Sequence, residues 1–117
     1  MELNGKCKEI FDNWLVENHG IILHSYECAD IFLYEIFYNP KLPDAMKFGV
    51  YQDFFDVNGI FIQVLFYDFD SHNWQIFIEC EKESYDYTET HLTTRSEANS
   101  QAIKTANNLL NEQWKNK

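Results

Sequence analysis

Tyr51-Gln52-Asp53-Phe54-Phe55-Asp56-Val57-Asn58-Gly59-Ile60-Phe61-Ile62 sets out a helix, its end and the strand after it. An aromatic-rich amphipathic stretch runs into Asn-Gly, and an isoleucine-led apolar run follows. The same grammar occurs earlier, in Phe11-Asp12-Asn13-Trp14-Leu15-Val16-Glu17-Asn18-His19-Gly20-Ile21-Ile22-Leu23. Glycine reaches the left-handed conformation that ends many helices, so both copies predict helix, glycine cap, strand. Asn-Gly is also a hairpin signal, which would make Val50–Val57 a strand. The parallel with Asn18-His19-Gly20 favours the helix cap.

Upstream, Leu3, Cys7, Ile10, Phe11, Trp14 and Leu15 recur at helical spacing, predicting a first helix over 4–18. Two runs then read as strands, Ile21–Tyr26 and Ile31–Tyr38, although the length of the second also suits a buried helical turn. Asn39-Pro40-Lys41-Leu42-Pro43 breaks the pattern and joins two halves, 1–42 and 43–117, of a single domain. Met46, Val50, Phe54 and Val57 predict the inward face of a second helix over 44–57, with Tyr51 and Phe55 flanking. Strands follow at Ile60–Phe69 and Trp74–Glu81, with a third, more polar strand at Ser84–His91. Thr94-Arg95-Ser96-Glu97 forms a capping box in which the threonine hydroxyl takes the N3 amide and the glutamate returns to the cap amide. The helix it opens carries a stripe of Ala98, Ala102, Ile103, Ala106, Leu109 and Leu110. The expected fold is α+β: an antiparallel sheet of four to five strands with helices on one face. The expected order is α-ββ-α-ββ(β)-α, and its last unit is α-βββ-α.

Nineteen acids against nine Lys and Arg leave a net charge of −10 over 117 residues. Residues 48–94 hold −8 of it, and no Lys or Arg occurs between Phe48 and Glu81. Such a field repels nucleic acid and draws basic proteins, including those that bind DNA or RNA. Plain solubility is the competing reason for the charge. The last unit shares its element order with double-stranded-RNA-binding domains, but those hold phosphates with Lys and Arg, so RNA binding is disfavoured.

Three cysteines without regular spacing predict core thiols rather than disulfides or a zinc site. Met1-Glu2-Leu3-Asn4 is not a basic leader and no long apolar run follows, so the expected compartment is the cytoplasm. No cofactor is expected. With four scattered glycines the chain has no phosphate-cradling loop, and no nucleophile elbow is present. Asp68, Asp70 and His72 at a strand end offer the alternative of a small metal-dependent hydrolase or ligand site; a polar hairpin tip looks the same.

Asp53-Phe54-Phe55-Asp56-Val57-Asn58-Gly59-Ile60, then Thr94-Arg95-Ser96-Glu97-Ala98, Ala102-Ile103 and Ala106-Asn107, resemble small uncharacterised proteins of gut bacteria and their phages. The resemblance covers about residues 48–114. It implies a mobile-element setting, in which small acidic proteins often bind host proteins, including those of defence systems.

The most informative surface expected is a face mixing aromatics with acids: Tyr34, Ile36, Tyr38, Phe61, Leu65, Tyr67 and Phe77 beside Glu79 and Glu81. Rings supply contact area and acids steer a basic partner. The expected function is a non-enzymatic acidic protein-binding module. Its expected contact residues are Asp53, Asp56, Phe61, Tyr67, Asp68, Asp70, Phe77, Glu79, Glu81, Glu83 and Asp86. Burial under the first half, or in a homodimer with no other ligand, is the structural alternative.

Overall fold

The computed structural model describes residues 1–19, 37–68, 73–81 and 85–115. Among these the elements run α1 (Gly5–His19), α2 (Asp44–Val57), β1 (Ile60–Asp68), β2 (Asn73–Cys80), β3 (Tyr85–Leu92) and α3 (Arg95–Lys115). The protein is α+β, and its described strands form one antiparallel sheet in the order β1-β2-β3. The expected sheet of four to five strands and the order α-ββ-α-ββ(β)-α are not found: among the described residues the sheet stops at three. Gly20 and the run Ile21–Tyr26 lie outside the described residues. Where the run Ile31–Tyr38 re-enters, Phe37 has π-helical geometry and Tyr38 lies in a turn. Packing explains that departure. Phe37 is buried with its ring centroid 5.3 Å from Phe11 and 5.5 Å from Tyr51, so at this residue packing on two helices outweighs the strand propensity of an aromatic side chain.

The Asn58-Gly59 dipeptide ends a helix. Asn58 N–H donates to the Phe55 carbonyl at 3.0 Å and Gly59 N–H to that of Asp56 at 3.1 Å. The Asn58 side-chain amide takes the Phe54 carbonyl at 2.9 Å, satisfying a group the helix leaves open. Gly59 sits at φ 76°, where a side chain is strained. Its carbonyl accepts from Glu81 N–H at 2.9 Å, so the cap also begins the β1–β2 pairing.

α2 buries Tyr51, Phe54 and Phe55, whereas Met46 and Val57 are exposed. Phe54 and Val50 face the core as expected, but the face is turned toward Tyr51 and Phe55 and away from Met46 and Val57, because the larger aromatic volume settles against α1. Phe11 is fully buried there, its ring centroid 4.9 Å from Tyr51 and 5.1 Å from Phe54. Inward residues Ile60, Ile62, Ile76, Ile78 and Cys80 of the sheet join the same core as Ala98, Ala102 and Ala106 of α3. The alanines let α3 lie close on the sheet.

Thr94 caps α3, its hydroxyl accepting from Glu97 N–H at 3.1 Å. The glutamate does not return to the Thr94 amide. It accepts from the Thr93 hydroxyl at 2.8 Å and the Thr93 N–H at 3.2 Å, one residue earlier. The far part of α3 holds the start of the chain. Asn107 and Asn4 exchange bonds of 2.9 and 3.0 Å, and Asn111 Oδ1 accepts from Cys7 N–H at 2.8 Å. Side chains of α3 thus satisfy the exposed amide end of α1, which Asn4 alone would otherwise cap.

Candidate functional site

Alternation along the strands gives the sheet a second, outward face. In β1 this face takes Phe61, Gln63 and Leu65; in β2 it takes Gln75, Phe77 and Glu79. Register sets them in rows. Phe61 pairs with Glu79, Gln63 with Phe77, and Leu65 with Gln75. On the other side Phe77 pairs with Thr88 and Glu79 with Asp86. Phe61 is 43% exposed and Leu65 48%, while Ile60 and Ile78 on the inward face are fully buried. Among the described residues the hydrophobic core does not include Phe61, Leu65 or Phe77.

The expected contact residues divide between several places. Phe61, Phe77 and Glu79 share the outward face, and Asp86 is the register partner of Glu79. Tyr67 and Asp68 end β1, where Asp68 pairs with Asn73 after a break in register. Asp53 and Asp56 are exposed on α2, which packs against β1. Glu81 follows β2 beside Gly59, to which its N–H donates. Asp70 and Glu83 lie outside the described residues, as do Tyr34, Ile36 and His72.

Tyr38 does not belong to this face. Its hydroxyl donates to Asp12 of α1, and Lys8 Nζ lies 5.1 Å above its ring. A turn aims the ring at the helix, which period-two reading of the run cannot foresee.

Residues not singled out from the sequence complete the surroundings. Gln52 of α2 donates to the Ile62 carbonyl at 2.8 Å, on the side of β1 away from β2. At one end of the sheet Phe66 and Trp74 stack edge to face at 5.2 Å, and the Arg95 guanidinium lies 4.7 Å over Trp74. The aromatic cross-strand pair was legible from register; the arginine comes from α3 and was not.

Burial first, and then the neighbouring Asp53, raise the carboxyl of Asp56 above its ordinary range. Burial pushes the Cys7 thiol up to about 12, so it stays protonated at neutral pH. Cys80 is buried too. Among the described residues no three His, Cys, Asp or Glu side chains come together as a metal site would require. No helix among them is long and apolar enough to cross a membrane.

An open cleft of about 560 Å³ lies between the start of α1 and the end of α3, lined in part by Lys6, Asn111, Trp114 and Lys115. Several of its groups already have partners, across the two helices or within one of them. Asn111 caps α1, Lys6 lies 5.2 Å over Trp114 and pairs with Glu9, and Lys115 pairs with Glu112. The outward face of the sheet, by contrast, presents exposed apolar area at Phe61 and Leu65. In comparisons with known proteins, no family model, curated protein or solved structure matches the chain.

Proposed function

We propose that the chain is a non-enzymatic, acidic protein-binding module that docks a basic protein surface on the outward face of its sheet. The observation that carries this reading is the exposure of Phe61 and Leu65 on one face of β1, with Glu79 paired to Phe61. Exposed rings and aliphatic groups of this kind gain by being covered, at about 25 cal/mol for each Å² removed from water. The field of a chain with net charge −10 selects what covers them, since it accelerates approach of basic surfaces and opposes acidic ones.

The mechanism is occlusion. The rings supply the desolvated centre, Glu79 supplies phosphate-like charge beside them, and the acids elsewhere, Asp53 and Asp56 on α2 among them, add to the field that draws groups that otherwise hold nucleic acid. The resemblance to small proteins of gut bacteria and phages directs the search to bacterial DNA- and RNA-binding proteins, defence proteins first, in the cytoplasm.

Affinity capture from such a lysate, with identification of the retained protein, tests the reading. The expected product is a protein with a basic surface, released as salt rises and not retained by a folded Phe61→Ser/Leu65→Ser variant. Equal retention by that variant, or retention indifferent to salt, contradicts it. Light scattering over a concentration series distinguishes self-association. A dimer that the same variant abolishes would assign the face to a second copy of the chain instead.

A further inference from the structure

We propose that Phe61, Phe77 and Glu79 form an arginine-recognition site on the outward face. The inference rests on the docking reading and adds the chemistry of the group recognised.

The register builds the site. Phe61 stands directly opposite Glu79, a placement that brings the Cβ atoms of a pair to about 4.5–5.5 Å. Phe77 lies two residues from Glu79 on the same strand and the same face, so the carboxylate has one ring across from it and one beside it. A guanidinium is planar: it can lie on a ring while two of its N–H groups donate to a carboxylate. A lysine ammonium can also sit between a ring and a carboxylate, but it offers no plane to stack on the ring and no paired N–H groups for a bidentate bond, so the preference for arginine is one of degree.

Elsewhere the molecule completes this arrangement with its own cations. Lys8 lies 5.1 Å over the Tyr38 ring and 2.7 Å from Asp12, which also accepts from Tyr38. Lys6 lies 5.2 Å over Trp114 and pairs with Glu9. At Phe61 and Glu79 the ring and the carboxylate are present without such a cation: β1 and β2 contain no Lys or Arg, and no ion pair forms on Glu79 among the described residues. The partner supplies it.

Recognition by side chains also fits the state of the sheet edges. Gln52 occupies the Ile62 carbonyl on the side of β1 away from β2. On the other edge the register slips between Trp74 and Ile76, and a slipped register discourages addition of another strand.

Calorimetric titration at low salt with a blocked arginine oligomer and a lysine oligomer of equal length tests the site. The arginine oligomer should bind about five- to tenfold more tightly. Phe61→Ala, and separately Glu79→Gln, should bring the two affinities together, while Phe61→Tyr should keep the preference. Equal, salt-sensitive affinity of the unaltered chain for both oligomers overturns the arginine site but leaves an acidic docking module. An arginine preference that survives Phe61→Ala in a folded variant overturns the site as well. Failure of both oligomers to bind overturns the site and the docking reading together.

Discussion

The two faces of β2 alternate residue by residue and differ in what holds them. Ile76 and Ile78 are fully buried against the helices, while Phe77 is half-buried and Glu79 exposed. Apolar content alone does not separate the faces, since both carry large side chains. Use in packing does. The inward residues pack against the helices, whereas Phe61 on the outward face is 43% exposed.

Substitution on the two sides should therefore have opposite consequences. Phe54→Ala removes a ring packed on Phe11, Trp14 and Phe55 and should cost about 3–5 kcal/mol in urea unfolding. Phe61→Ala should change stability by no more than about 0.5 kcal/mol. A large loss at Phe61 would show that the outward face is structural, and the contrast would fail.

The helical side can be probed where the chain ends meet. Asn111→Ala leaves Cys7 N–H without its acceptor and should cost about 1–3 kcal/mol, seen as a lowered melting temperature. Gly59→Ala forces a side chain into positive φ, with its Cβ 3.3 Å from Glu81 Oε2. A cost of about 1–2 kcal/mol is expected, with weakened amide protection where β1 begins.

The smallest effect concerns charge on the exposed side of α2. The raised carboxyl of Asp56 keeps its proton to higher pH in the native state than in the unfolded chain. Its contribution to stability is thus present below the ordinary carboxylate range and is lost as pH rises through the raised value. Asp56→Asn should be slightly more stable than the parent at neutral pH and indistinguishable at low pH. Urea midpoints at the two ends of that range check the sign.

The sequence showed this contrast unevenly. β1 and β2 were legible because alternating Ile60, Ile62, Ile76 and Ile78 leave one consistent inward set. α3 was legible from Thr94 and its alanine stripe. The inward face of α2 was legible in part: Phe54 is buried and Val50 packs against the core as the spacing implies, but Met46 and Val57 are exposed, and ring packing against α1 draws in the flanking Tyr51 and Phe55 instead. The asparagine joint was invisible, because Asn4, Asn107 and Asn111 carry no apolar period and meet only across the ends of the chain. Phe61, Phe77 and Glu79 could be placed together from alternation. Tyr38 could not be excluded from them, since its direction depends on a turn and on Lys8 and Asp12.

Hydrogen exchange of the chain, alone and with its captured basic partner, tests the central claim most directly. The account predicts new protection at Phe61, Leu65, Phe77 and Glu79, with the start of α1 and the end of α3 unchanged. Protection confined to the cleft beside Trp114, with the outward face exchanging as before, would contradict it.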